Sequence, residues 1–295
     1  METRILRYFL AVAKQGTISG AARELHISQP TLSRQIQQLE AQLKVPLFIR
    51  ERRRMDLTKA GRAYDAKVQH ILNELDQANQ MVATISNDDL TGTISIGCVE
   101  SEVTRLLIPQ LIAFHDRYPH VCYNFYDADG EDIKAHLDQG LLDLGLVSAP
   151  ISTAKYHTLK MPITDRWGLL VRPDSKLAGQ QAVTAAELRD LPLIIPHRSL
   201  IYDELNEWLG LQRSQLRVVA ESNLLTNVCY LVAAGLGNVV CIEGAPRPAS
   251  TSLKFIPFSP ARRQQQFLIW RKGTVLTEPA QNLIRWIHKS IDAEK

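Results

Sequence analysis

The chain has 295 residues, 45% hydrophobic and 22% charged, an ordinary balance for a folded globular protein with length for two or more cores, and one that excludes a disordered chain. Its formal charge of +3 is unevenly spread, because residues 1–58 hold ten Lys/Arg against five Asp/Glu (+5) while the remainder holds 24 against 26 (−2). A basic head on a near-neutral body favours binding of a polyanion at one end, with an affinity that falls as salt rises.

Residues 17–40, TISGAARELHISQPTLSRQIQQLE, read as two short helices joined by a tight turn. In the second helix Leu32, Ile36, Leu39 and Leu43 recur at helical spacing and form one buried stripe. The opposite face carries Gln29, Thr31, Ser33, Arg34, Gln37 and Gln38. Ser28 is placed to cap this helix, and Pro30 is acceptable in its first turn, where backbone N–H groups lack intrahelical partners. Such a face suits base edges in the major groove, although a merely solvated face would carry similar residues. Ala21 and Ala22 in the preceding helix, Ser19 to Leu25, permit two helices to cross closely. Arg50, Arg52, Arg53 and Arg54 follow Leu47 and Phe48, a basic loop that reads as a wing next to a recognition helix.

The run through Phe9, Ser19, Ala21, Ala22, Leu25, Ser28, Gln29, Pro30, Ser33, Ile36, Leu39, Glu40, Leu47, Phe48, Arg50, Leu57, Thr58 and Gly61 resembles the winged helix-turn-helix of LysR-type transcriptional regulators. The resemblance implies DNA contacts from Gln29, Pro30, Thr31, Ser33 and Arg34, with Arg52 and Arg53 in the wing. One position departs from the family pattern: Lys44 stands where a glycine usually ends the second helix. If Lys44 takes the left-handed conformation, it costs about 1 kcal/mol relative to glycine.

After Thr58, the positions Tyr64, Val68, Ile71, Leu75, Ala78, Val82 and Ile85 alternate four and three apart, as in a coiled-coil seam. A helix from Lys59 to about Asn87 would be roughly 40 Å long and calls for a partner. The resemblance implies a homodimer through this linker helix, with a homotetramer as the expected assembly. The expected organisation is a winged helix-turn-helix over 1–58, a linker helix over 59–88 and an effector-binding domain over 89–295.

Past a polar break at Asn87, Asp88, Asp89 and Gly92 the fold class is α/β. Strands are expected at Thr93 to Val99, Val121 to Tyr126 and Leu142 to Val147, with helices at Glu102 to Tyr118 and Asp132 to Gln139. A second set has strands at Trp167 to Val171, Leu193 to Ile195, Arg217 to Val219 and Asn238 to Ile242, with helices near Thr184, Asp203 and Leu224. A closing helix starts at Thr277 and Pro279 and buries Leu283, Ile287 and Ile291. These elements are similar to a two-lobed, periplasmic-binding-protein-like effector domain. The resemblance implies one lobe over about 91–161 and 267–295 and another over about 162–266, with Phe267 to Lys295 crossing back.

Ligands of open α/β lobes bind beyond the carboxyl ends of strands, near helix N-termini. That rule selects Ser101, Glu102, Val103, Thr104, Asp129, Gly130, Val147 and Ser148 in the first lobe, and Pro196, His197, Arg198, Ser222 and Asn223 in the second. The resemblance implies that these line an effector cleft, while Ser101 and Ser222 are equally well placed merely to cap helices. Glu100, Glu102, Asp127 and Asp129 make the first-lobe wall acidic, so a ligand bearing both signs or a sugar-like polyol is expected rather than a simple acid.

Cys98, Cys122, Cys229 and Cys241 form no CxxC and read as small buried hydrophobes, and the eight histidines show no metal-ligand spacing. No metal or other cofactor is expected. No apolar run reaches the roughly 18 residues that span a bilayer, and METRILRYFLAVAKQG lacks a signal-peptide pattern, so the expected location is cytoplasmic, with no membrane partner. The expected function is a DNA-binding transcriptional regulator controlled by a small-molecule effector. The alternative is a solute-binding protein or small-molecule enzyme on the same two lobes, which the N-terminal module and the missing nucleophile elbow, GxGxxG or P-loop argue against.

Overall fold

Side-chain caps set the starts of two helices in the N-terminal unit. Thr17 accepts a hydrogen bond from the Gly20 amide at 3.1 Å, and Ser28 accepts one from the Thr31 amide at 3.3 Å. The computed structural model describes residues 2–50, 54–84, 90–197, 207, 210 and 212–293. It divides into two compact units, Met1–Asp88 with Asp138–Leu141, and the rest of the chain.

The first unit runs α1 (Thr3–Gln15), α2 (Ile18–Glu24), α3 (Gln29–Leu43), an antiparallel pair β1 (Phe48–Arg50) and β2 (Met55–Leu57), and α4 (Lys59–Thr84). Its core joins Phe9 and Val12 of α1 to Ala21 and Ala22 of α2, Leu32, Ile36 and Leu39 of α3, Leu47, Phe48, and Val68 and Leu72 of α4. The turn between α2 and α3 is closed by His26 at φ 54°, with the Ile27 amide donating to the Ala22 carbonyl at 3.0 Å. The end of α3 repeats this geometry. Lys44 sits at φ 56° and ψ 28°, and Val45 N–H donates back to the Glu40 carbonyl at 3.3 Å, a Schellman closure built without glycine.

The heptad seam expected along α4 is divided in the structure. Tyr64 and Val68 pack into the core of this unit, joined by Leu72 from outside the expected stripe, whereas Ile71 and Leu75 are exposed. The first turns of α4 therefore serve the head rather than a second helix. The side chains of Ala78 and Val82, and all of Ile85, lie outside the described residues. Where α4 begins, a Cβ on Gly61 would stand 2.1 Å from the Leu47 carbonyl oxygen, so only glycine lets the helix approach this backbone.

The second unit is mixed α/β. Its elements are β3 (Gly92–Cys98), α5 (Val103–Arg117), β4 (Val121–Asp127), α6 (Gly130–Asp138), β5 (Leu144–Ser148), β6 (Tyr156–Val171), β7 (Val183–Thr184), α7 (Ala185–Leu188), β8 (Pro192–Pro196), β9 (Arg217–Ser222), α8 (Leu225–Ala233), β10 (Asn238–Ile242), β11 (Lys254–Ser259), β12 (Arg263–Arg271) and α9 (Glu278–Ala293). The sheet order is β4-β3-β5-β12-β6-β10-β8-β9, with β11 paired to β6 and β7. β3 is parallel to β4 and β5, and β8 is parallel to β9 and β10. β6 and β12 are antiparallel to each other, and β6 runs through both halves, pairing with β12 in one and β10 in the other. One core lies between β3, β5, α5 and α9, where Leu283 and Ile287 are buried, and further cores lie on the two faces of β6, β8 and β10.

Three expectations need correction. The strand expected at Trp167 starts eleven residues earlier, at Tyr156. β11 and β12 were absent from the sequence reading, because Gln264 and Gln266 look solvent-facing yet are 6% and 0% exposed. Their amides are satisfied inside, so apolar alternation does not mark the strand. Cys122 is exposed on the edge strand β4, where it lines the open groove beside α5, while Cys98, Cys229 and Cys241 are buried. The helix expected near Asp203 lies outside the described residues. No helix among the described residues is long and apolar enough to cross a membrane.

Candidate nucleic-acid interface and ligand cleft

In the first unit the buried stripe of α3 fixes the direction of its other face. Leu32, Ile36 and Leu39 are fully buried, and Gln29, Pro30, Thr31, Arg34, Gln37 and Gln38 are exposed, with Ser33 half-buried. The helix start is held by a small network. Ser28 and Thr31 hydroxyls lie 2.7 Å apart, and Ser19 Oγ donates to Gln29 Oε1 at 3.2 Å, which orients the Gln29 amide. Glu40, on the same helix, accepts from the Leu47 and Phe48 amides at 2.8 and 3.0 Å and so anchors the first wing strand to α3. Its spacing in sequence gives no sign of that task. Arg54 pairs with Asp56 at 2.8 Å, whereas Arg52, Arg53 and the side chain of Arg50 lie outside the described residues.

The second unit contains a cavity of about 110 Å³ beyond the carboxyl ends of β3, β5, β8 and β9. Of the residues expected there, Asp129, Ser148, Pro196 and Asn223 line it, as does Ser222. Ser101 is 2% exposed and its hydroxyl lacks a hydrogen-bond partner among the described residues. Val103 and Val147 belong to hydrophobic cores instead. Thr104 faces a different groove, between α5 and β4. Glu102 pairs with Arg105 at 2.9 Å, Gly130 begins α6, and His197 pairs with Glu221 at 2.8 Å. None of these seven, Ser101 included, is in the cavity wall, and Arg198 lies outside the described residues.

The wall also contains residues that the sequence reading missed. Trp167 Nε1 donates to Gln264 Oε1 at 2.9 Å, and Gln264 Nε2 donates to the Ala149 carbonyl at 2.6 Å. Ser148 donates to Gln266 Oε1 at 2.9 Å, and Gln266 Nε2 donates to Asp165 Oδ2 at 2.8 Å. Asp165 Oδ1 accepts from the Glu102 amide at 3.3 Å, and burial pushes the Asp165 carboxyl above the usual carboxylate range despite these bonds. Gly244 closes this junction, because a Cβ there would fall 2.2 Å from Asp165 Oδ1. Glu100, from the end of β3, accepts from the Leu225 amide and the Thr226 hydroxyl at the start of α8.

Two family profiles match this chain. One, described as a bacterial regulatory helix-turn-helix protein of the lysR family, covers residues 3–62, and the other, the LysR substrate binding domain, covers residues 87–292. The chain belongs to the LysR family of transcriptional regulators.

Its LysR relatives include the HTH-type transcriptional regulator CzcR of Bacillus cereus, 30% identical over 246 residues that cover 83% of this chain and 81% of CzcR. The Hca operon transcriptional activator HcaR of Escherichia coli is 31% identical over 248 residues, covering 83% of this chain and 82% of HcaR. Among solved LysR structures, full-length CbnR complexed with its target DNA aligns at a TM-score of 0.74 and 23% identity, over 98% of this chain and 100% of CbnR. A full-length OxyR from Pseudomonas aeruginosa aligns at a TM-score of 0.62 and 23% identity, over 99% of this chain and 94% of OxyR. These two likenesses show that the LysR fold extends over the whole chain.

Proposed function

We propose that this LysR regulator reads DNA with the exposed face of α3 and responds to a small molecule held in the cavity of its second unit. The observation that carries the DNA reading is the division of α3 into a fully buried apolar stripe and an exposed face of amides, hydroxyls and Arg34. Gln29, Pro30, Thr31, Ser33 and Arg34 are assigned to base or backbone contacts, with Arg52 and Arg53 to the wing. CbnR, which shares the fold, is solved with its target DNA. Exposed Ile71 and Leu75 on α4 supply an apolar strip for a second copy, which supports a dimer through the linker helix with two heads on two half-sites. The functional parts are taken as 1–58, 59–88 and 89–295. We read the protein as a cytoplasmic regulator rather than an enzyme.

The effector acts only if it binds two arrangements of the protein with different affinity. Within the effector site we retain Asp129, Ser148, Pro196 and Asn223 as wall residues and Ser101, next in the chain to the wall residue Glu100, as a buried hydroxyl. Footprinting on the DNA upstream of the protein's own gene tests the DNA reading, with a protected dyad and a steep salt dependence expected. Arg34→Ala should lower specific affinity by about 1 to 3 kcal/mol, the worth of a good bidentate base contact. Unchanged sequence preference in that variant would remove Arg34 from direct readout.

A further inference from the structure

The cavity is walled largely by apolar side chains, among them Val99, Ala128, Trp167, Ile195 and Leu225. Its charged lining residues among those described are Glu100 and Asp129, both acidic, and no Lys, Arg or His is described in the wall. Helix N-termini otherwise welcome anions with their free N–H groups, and here the chain's own carboxylates occupy part of three of them. Asp129 Oδ1 accepts from the Glu131 and Asp132 amides of α6 at 2.8 and 3.0 Å. Asp165 accepts from the Glu102 amide at the start of α5 at 3.3 Å. Glu100 closes the start of α8 through Leu225 N–H and Thr226 Oγ1.

A carboxylate ligand would therefore meet two carboxylates and no basic side chain among the described wall residues. A polyol would find two of the wall's polar side chains already committed, since Trp167 bonds to Gln264 and Ser148 to Gln266, and would bury its remaining hydroxyls against apolar surface. An apolar body finds hydrophobic contact there, and an ammonium group finds the acidic pair together with the indole of Trp167, a favourable partner for a cation. A cavity of about 110 Å³ is of the order that holds a single ring, since a dry cavity of ~150 Å³ accepts benzene.

We infer that the cleft ligand is a small, largely apolar primary amine of about one ring's size, and that Glu100 is the residue that discriminates against carboxylates. The inference rests on the cavity being the effector site.

Calorimetric titration of the full chain at neutral pH with benzylamine, benzyl alcohol and benzoate tests it, because the three share a ring and differ in head group. The amine should bind at least about tenfold more tightly than benzoate, a difference of about 1.4 kcal/mol. Glu100→Gln, which keeps an oxygen acceptor for the Leu225 amide, should shrink that preference several-fold. Asp129→Asn is the second variant should Glu100→Gln fail to fold. Ala128→Leu, which fills the cavity, should abolish binding of the amine. Benzoate binding as tightly as benzylamine, and lost in Ala128→Leu, would overturn the amine assignment while leaving the cleft as the effector site. Amine binding undiminished by Ala128→Leu would overturn the cleft reading itself. Failure of all three compounds to bind would overturn the inference.

Discussion

Replacing Lys44 by glycine should stabilise the N-terminal unit. Lys44 is exposed and holds φ 56° and ψ 28° at the end of α3, where its amide and that of Val45 close the last turn onto the Ala41 and Glu40 carbonyls, each at 3.3 Å. An L-residue in this left-handed conformation carries roughly 1 to 2 kcal/mol of steric strain, which glycine escapes. Against that, glycine adds about 0.4 to 1 kcal/mol of conformational freedom to the unfolded chain. The net expected gain is about 1 kcal/mol, or about 4 °C or more in Tm if this unit unfolds as a domain of its own size. Differential scanning calorimetry on the full chain would resolve the transition. Lys44→Ala serves as the control, because it removes the charge and keeps the strain, and it should show no gain. Lys44→Asn should fall between the two, since asparagine tolerates the left-handed region better than alanine does. Equal stabilisation by Gly and Ala would show that charge rather than backbone conformation is responsible, and no gain from Gly would refute the strained cap.

Three further outcomes follow from the same geometry. Glu40→Ala strips the Leu47 and Phe48 amides of their acceptor and should cost about 2 kcal/mol in urea denaturation; an unchanged midpoint would mean that the wing is not anchored through Glu40. Glu243 is held below its usual 4.5 by the Arg166 guanidinium, bound in two places at 2.8 Å, so this pair contributes stability above 4.5 and loses it as pH falls through the depressed value. Both side chains are about 40% exposed, which limits the effect to about 0.5 kcal/mol; Glu243→Gln should differ from the parent at neutral pH and converge with it in acid, and a constant difference would contradict the linkage. Maleimide should label Cys122 first in the native protein, because Cys98 and Cys241 are buried with thiols pushed up to about 12; early labelling of either, read by peptide mass, would contradict their burial.

Much of the DNA-reading head was legible in sequence because its determinants are local. Ser28 caps a helix three residues away, and Leu32, Ile36 and Leu39 repeat at the helical period, so a window of fifteen residues contains both the start and the buried face of α3. The conformation of Lys44 was open in sequence, because resemblance to a pattern that ends in glycine pointed to the position while lysine left its left-handed cap in doubt; the structure gives φ 56° there. The seam of α4 was legible only as a period. Which part of it meets the head's own core and which part stays open depends on where the rest of that core lies, and Leu72 entered from outside the stripe.

The cleft followed the other rule. The general position of ligand sites in α/β lobes selected Asp129, Ser148, Pro196 and Asn223, which line the cavity, but it also selected Val103 and Val147, which belong to cores. Residues beyond a strand end face alternate sides, and only packed neighbours decide which side is open. Thus the amino-acid order alone determined the helical head, its caps, the basic asymmetry and the alternation of strands and helices, since each depends on residues a few positions apart. The tertiary structure alone decided that Gln264 and Gln266 are buried, that Trp167 walls a cavity, and that Glu100 meets Thr226, 126 positions away. Those features arise from contacts between strands and helices distant in the chain, and no local period or spacing encodes them.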